Sequence, residues 1–449
     1  MGAGAAAVFF VPSGRIWGKR HLFLLGMLIV IASSAWAGSV GTNYNSLIGA
    51  RIVQGVGTAP FESLLNAAVG DLYFVHQRGV RMAFTNLAVF GGAFFTPILV
   101  GKITSVMGWW WTFYLVAILT AATLPAVFFL CPETAYRREP SLNTDTSAGD
   151  EIELIPGPKL EGSPNGSMPP TDQARVKRRT GFVLFPKSGA SQPLGNSTTP
   201  KKTFVESLSL FDGQKTDDRY WVLLLRPFPL VLNPAFLWGC LIQGTMIGWT
   251  VFIGVLIAAV FIGPPYFWGE VKAGYAYTSA FIGALGGFAV AGLLADTSVK
   301  WMTKRNKGIY EPEFRIVLVI PMLIIGSIGL FGFGLTAGDV VSGKYPYQVP
   351  LVFFAFEVAG MVIGAVASSL YIVDAYRDLT IEGFTLMIIF KNFFSFVLTF
   401  YAYDWLIYTG IRKTLVSVAG VQVIVCLLSI PMCKYDSIIL PSFLVRCAW

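Results

Sequence analysis

Ten apolar stretches long enough to cross a bilayer lie unevenly around one long polar block, four before it and six after. They are Leu22–Val40, Ser46–Ala68, Met82–Val106 and Trp109–Leu130, then Leu232–Ile262, Ala273–Asp296, Ile316–Leu335, Val349–Val373, Phe384–Tyr401 and Leu415–Cys433. A helix needs about 20 apolar residues to span the hydrocarbon, and inside it every backbone N–H and C=O must be bonded within the protein. That requirement leaves an all-α membrane protein, two groups of helices joined by a polar linker. Composition agrees: 13% of residues are charged, against roughly 25% in a soluble domain. Ahead of the first stretch, Met1–Val11 is apolar but only half the needed length. It is expected to be the tail of a helix whose beginning is missing.

Charge sets the expected topology. Threaded alternately, the stretches leave most of the 33 Lys and Arg on one side. That side takes Arg15, Lys19 and Arg20, then Arg78 and Arg81, the polar block, and Lys300 to Arg315. Basic loops stay in the cytoplasm, so the block and the C-terminus are expected inside. The net charge of +8 is then a matter of topology, and no separate basic domain remains to bind nucleic acid. Five Cys and two His have neither disulfide nor metal-ligand spacing, so no metal and no cofactor are expected. The domain reading is residues 1–130 as an incomplete helical bundle and 232–449 as a six-helix bundle with a short cytoplasmic tail. Between them, 131–231 reads as a cytoplasmic loop, largely disordered because it is rich in Ser, Pro, Gly and acidic residues. An amphipathic segment near 204–225 is expected to lie on the membrane surface.

The second stretch holds the most specific polar pattern. At 100° per residue Arg51, Gly55, Thr58 and Glu62 share a helix stripe, with Asn66 close by. A charge at this depth costs about 2.5–3.5 kcal/mol, so the stripe either lines an aqueous cavity or is satisfied by neighbouring helices. Arg51 and Glu62 are separated by about 16 Å of helix rise, too far to pair. In the second half Glu357 lies within its stretch, with Ser368 on the same face, and Asp374 marks the end. Lys391 and Asn392 lie inside the next stretch, and Lys391 could neutralise Glu357 or Asp374; depth does not choose. Glu62 and Glu357 are the expected proton- or cation-binding carboxylates. Gly91 to Pro97 and Gly263-Pro264-Pro265 bring helix breakers that serve close packing or a hinge. There is no Walker loop, no nucleophile elbow and no zinc-protease motif. The chain is therefore not expected to be an enzyme, and any transport would draw on an ion gradient.

Four short motifs carry a resemblance. Arg51-x-x-Gln54-Gly55-x-Gly57, Gly70-Asp71 through Arg78-Gly79, Gly91 to Pro97, and Pro132-Glu133-Thr134 stand in the order and spacing of a known family. The chain resembles a fungal major facilitator superfamily transporter of the twelve-helix drug:proton antiporter type, in the branch similar to the yeast polyamine and histidinol permease. The resemblance implies a two-bundle fold with ten full helices and a remnant of helix two. It implies that Arg51 and Gln54 belong to a proton-linked motif and that Glu62 faces the substrate cavity. Gating loops would be formed by Arg15, Gly18, Lys19 and Arg20 in one half and by Asp296 in the other, with Asp71 and Arg78 between them. Arg15 stands where the family usually has an acid. The function so implied is secondary active transport of cationic amines, polyamines or drugs by alternating access, coupled to protons. The protein would act as a monomer in the lipid bilayer of the plasma membrane. A non-transporting truncated product and a sugar porter are the alternatives.

Overall fold

The computed structural model describes residues 2–135, 182–183, 209, 211, 213–216, 219–263, 266–341, 343–376 and 379–432. Most of the polar block, the Pro264-Pro265 pair and the tail beyond 432 lie outside the described residues, and so do the expectations placed on them. The first group of helices is α1 (Gly2–Ile16), α2 (Arg20–Ser39), α3 (Tyr44–Leu72), α4 (Arg78–Asn86), α5 (Gly92–Met107) and α6 (Trp110–Leu130). After a short α7 (Tyr220–Leu225) come α8 (Pro234–Phe261), α9 (Glu270–Ala276), α10 (Thr278–Arg305), α11 (Val319–Val341), α12 (Gln348–Ala375), α13 (Thr380–Thr409) and α14 (Ile411–Leu427). Two two-residue strands, Phe182–Val183 and Ile309–Tyr310, pair antiparallel.

Among the described residues nine helical stretches are long and apolar enough to cross a membrane. The tenth long helix is α3, whose 29 residues include Arg51, Gln54, Glu62, Asn66 and Asp71 and are correspondingly less apolar. Local chemistry sets several ends. Asn43 caps α3 by accepting from Ser46 N at 3.2 Å, and Asn233 caps α8 by accepting from Ala235 N at 2.9 Å, with Pro234 at the first helical position. A π turn at Leu87–Gly91 joins α4 to α5 just ahead of the Gly-rich motif.

Three sequence boundaries are corrected. The helix begun by the apolar run Met1–Val11 is longer than that run, because α1 continues through Pro12 to Ile16 and carries Arg15 in its last turn. Asp71 lies in the last turn of α3 rather than in a loop, and Arg78 opens α4. Asp296 sits within α10, which runs on to Arg305, so the gating loop expected at Asp296 is helical. No breaker follows Gly292 in that segment, and the exposed Lys300, Lys304 and Arg305 need no loop to reach water.

In the first group α2 packs on α3 and α6, and α1 on α3; in the second, α12 is central, against α8, α10 and α11. Phe236, Phe252, Phe333, Phe354 and Tyr371 fill that core with almost no exposure. α6 instead exposes Leu115, Ile118, Leu119, Phe129 and Leu130, as a lipid-facing helix does. The two groups meet along two seams, α1 and α3 with α13, and α4 and α5 with α9, α10 and α12. Small residues set the first seam: Ala6 and Ala7 of α1 pack with Ala59 of α3 and Ile388 of α13, drawing three backbones together.

Candidate functional site: a charge pair and a buried clasp between two helix groups

Halfway along the first seam, Lys391 Nζ of α13 donates to Glu62 Oε2 of α3 at 2.7 Å. The pair joins the two groups, and its side chains keep partial exposure, 13% for Lys391 and 27% for Glu62. Lys391 was expected beside Glu357 or Asp374; the structure gives it to Glu62, which the sequence left without a partner. Two amides stand near the pair in the chain, one turn from Glu62 and next to Lys391. Asn66 Nδ2 lies 3.5 Å from Ser369 Oγ across the same boundary, and Asn392 Nδ2 is buried with no hydrogen-bond partner. Further along α3, Arg51 donates to Gln54 Oε1 (3.1 Å) and lies over the Phe113 ring (4.5 Å), while Gln54 donates to Ser34 Oγ at 2.9 Å. The polar stripe therefore splits: Arg51 and Gln54 are tied to α2 and α6, and Glu62 and Asn66 reach towards the second group.

Glu357 is elsewhere, wholly buried inside the second group. Its Oε1 lies 2.6 Å from Thr250 Oγ1, and its Oε2 has no partner. Thr250 Oγ1 also lies 2.9 Å from Met246 O. One hydroxyl proton cannot serve both acceptors. Both contacts are made when Thr250 donates to Met246 O and a protonated Glu357 donates to Thr250. An ionised carboxylate here would be a buried charge without a counter-ion. Ser368, placed on the same face by sequence, is buried and bonds back to Gly364 O at 2.8 Å instead.

At the end that carries Arg15 to Arg20, here the basic end, a clasp closes the second seam. The Asp374 side chain is fully buried and accepts from Arg78 Nη1 (2.7 Å), Arg315 Nε (2.9 Å) and Tyr310 Oη (2.6 Å). Arg78 also donates to Gly70 O and Tyr73 O, and Arg315 to Ala295 O and Val75 O, so both guanidiniums link several turns of chain. Asp296 accepts from Gly79 N (3.0 Å) and Val80 N (3.2 Å), the opening amides of α4, where the helix dipole favours an anion. A Cβ at Gly79 would lie 2.3 Å from Asp296 Oδ1, so only glycine admits this approach. Two acids and two arginines balance, as a buried ionic cluster must. Burial and then the Asp374 charge push the Tyr310 phenol well above its usual range, so it stays protonated and donates.

A second cluster ties down the Arg15–Arg20 segment. Gly18 has φ +99°, and the turn it makes wraps the Glu133 carboxylate, which accepts from Lys19 N and Arg20 N at 2.9 Å each. Lys19 pairs with Asp71, and Arg20 donates to Phe128 O at 2.7 Å. Arg15 crosses the first seam to pair with Glu382 in the first turn of α13. Where an acid was expected to gate, this chain has a base facing an acid. Sequence reasoning missed Arg315, Tyr310 and Glu382, and it read Glu133 only as part of a motif. Arg315 and Glu382 each stand at the edge of an apolar stretch, and that was the available signal. Among the described residues no group of three or more His, Cys, Asp or Glu could hold a metal ion.

Comparison with known proteins places this arrangement. The family model for the Major Facilitator Superfamily matches residues 1–397. An uncharacterized MFS-type transporter of Schizosaccharomyces pombe is 27% identical over 94% of this chain and 73% of its own length. Protein HOL1 of Saccharomyces cerevisiae is 23% identical over 97% of this chain and 78% of its own. Among solved structures, the proton:xylose symporter XylE superposes with a TM-score of 0.55 at 13% identity, covering 98% of this chain and 84% of that one. At that identity the likeness is one of fold. Two groups of membrane helices, joined by charge pairs across their seams and matched by the family model over most of the chain, make this multi-pass membrane protein a member of the Major Facilitator Superfamily.

Proposed function

We infer that the chain is a secondary transporter of small organic cations, working by alternating access and coupled to protons. The observation that supports this most is Glu62: a partly open carboxylate at mid-membrane depth, on the boundary between two helix groups, whose bound partner is an ammonium group. A site that holds one ammonium in this geometry has the charge and the hydrogen-bond acceptors to hold another. Residues 1–130 and 232–449 would rock as two bundles about this pair, and the basic end would face the cytoplasm of the plasma membrane. The Asp374 clasp then closes the cytoplasmic side in this conformation, and opening it costs the buried contacts of Arg78 and Arg315. Arg51 and Gln54 brace α3 against α2 and α6. Glu357 holds a proton inside the second bundle. With no nucleotide-binding motif, a proton gradient is the driving force that fits.

The test is exchange across proteoliposomes. Radiolabelled putrescine, a small diamine, should equilibrate into vesicles preloaded with unlabelled putrescine when the wild-type chain is present. Glu62→Gln should reduce that counterflow to the level of protein-free vesicles at unchanged reconstitution. Wild-type counterflow in Glu62→Gln would sink this assignment.

A further inference from the structure

We propose that the proton exchanged for the incoming cation is carried by Lys391: its ammonium occupies the cation site as a tethered occupant and gives up a proton when substrate takes its place. This rests on the assignment of Glu62 as the cation site and adds which group couples it to protons.

The argument begins from charge balance at depth. Glu62 is ten residues from the basic end of α3 and Lys391 eleven from that of α13, so both sit about 15–17 Å in, at mid-membrane. The pair is neutral as it stands, with Nζ and Oε2 2.7 Å apart. A cation that binds Glu62 must take the place of Nζ, since both are ammonium-like donors seeking one carboxylate. That leaves the displaced Lys391 in search of a second anion.

Among the described residues no second anion is within reach. On the elements packed against α13 at this level, α1 brings Arg15, which is paired with Glu382 at the basic end. α3 brings Glu62 itself, Asp71 at the basic end, where it pairs with Lys19, and Arg51 about 16 Å further along the helix. Asp404 of α13 stands about 20 Å from Lys391 along its own helix. α12 brings Glu357, bound to Thr250, and Asp374, held by Arg78 and Arg315. α8 has no charged residue, and Arg412 and Lys413 of α14 lie at the opposite end from Arg15. The polar side chains next along these helices are amides: Asn392, adjacent to Lys391 in the chain, with an unpartnered buried Nδ2, and Asn66, one turn from Glu62. Amide oxygens can accept a hydrogen bond from a neutral amine but cannot balance a charge. The displaced lysine therefore leaves as –NH2. Its N–H bond breaks, the electron pair stays on Nζ, and the proton passes to water in the partly open seam. Glu62 with one bound ammonium group and neutral Lys391 is again a neutral pair. The reverse order, reprotonation of Nζ and re-formation of the pair, expels the substrate. One carboxylate claimed alternately by a fixed amine and a mobile one is an exchanger of cation for proton.

Three variants of the full chain in proteoliposomes test this, with putrescine as the probe. The chain as it stands should release about one proton per bound diamine into a weakly buffered dye solution, because one of the two ammonium ends takes the place of Nζ on Glu62 and the other stays in water. Lys391→Gln removes the tethered occupant. Putrescine counterflow should change in rate, since a charge of the site is lost, but stay above that of protein-free vesicles, while accumulation driven by an acidic interior should fall to equal concentrations inside and out and proton release should vanish. Lys391→Arg cannot shed its charge, so it should hold Glu62 permanently and lose counterflow as well. A merely structural salt bridge would make the arginine variant the active one and the glutamine variant the inactive one, and that pattern overturns the proposal. Gradient-driven accumulation that survives in Lys391→Gln also overturns it. Should Lys391→Gln fail to reconstitute, the wild-type measurement decides, since diamine binding without proton release refutes the idea. Loss of counterflow in Glu62→Gln with these results for Lys391 keeps the cation site apart from the coupling: wild-type counterflow in Glu62→Gln strikes the site, and an unchanged Lys391→Gln strikes only the coupling.

Discussion

Replacing Asp374 by Asn should unlock the basic end without unfolding the helices. In the structure Asp374 is the single anion bonded at close range by both Arg78 and Arg315, which are themselves nearly without exposure. Removing one partner of a buried ionic cluster costs about 3–5 kcal/mol, because the partners left behind stay charged. The lower end applies here. Arg78 keeps its bonds to Gly70 O and Tyr73 O, and Arg315 keeps Val75 O, Ala295 O and a longer contact of 3.5 Å to Asp296. About 3 kcal/mol against the closed arrangement corresponds to a shift on the order of 100-fold in the closed-to-open ratio. Val373 reports it well: it is buried, and it packs against Gly70 of α3, where an added Cβ would sit 2.8 Å from Val373 Cγ1. In a chain whose native cysteines are replaced, a Val373→Cys thiol should react with a water-soluble maleimide on the order of 100 times faster when Asp374 is Asn. A parallel chain that keeps Cys426, buried in α14, should label no faster, which separates opening of the clasp from general unfolding. Equal labelling of Val373→Cys with and without Asp374 would refute the reading of this cluster as a gate.

Two further changes test the supports. Glu133→Ala removes the carboxylate that receives Lys19 N and Arg20 N, and should cost about 1–2 kcal/mol in thermal unfolding of detergent-solubilised protein; Gly18→Ala should be worse, since it strains a φ of +99° and pushes a Cβ to 2.3 Å from Glu133 Oε2. Glu357→Gln keeps a group able to donate to Thr250, so folding should survive, while the infrared carbonyl band of a protonated carboxylic acid should disappear; retention of that band would remove the proton from Glu357.

The apolar stretches were legible because burial in lipid demands length and continuity, and among the described residues the nine membrane-length helical stretches and α3 fall on them. The polar stripe of α3 was legible for the converse reason: Arg51, Gln54, Glu62 and Asn66 are costly there. Partners were not legible. Lys391 and Glu62 are 329 positions apart, and helix depth alone could not separate Glu62 from Glu357 or Asp374 as the partner. Arg315 read as a loop charge because periodicity marks only where a span begins, not what its first residue reaches. Met1–Val11 read as a short apolar remnant because apolarity fades there, while α1 runs on through Pro12 to Ile16, packed against α3 and α13. Asp296 read as a loop acid because the motif suggested a turn, whereas its carboxylate is needed at the start of α4, and a continuous α10 carries it there.

The central claim is that this protein moves small organic cations against protons, and one flux measurement addresses it directly. Proteoliposomes containing the wild-type chain, acidic inside and neutral outside, should accumulate labelled putrescine above its external concentration, and the accumulated label should leave when the gradient is collapsed. Labelled xylose under the same gradient should not be concentrated. Xylose uptake without putrescine uptake, or putrescine movement indifferent to the gradient, would contradict the account.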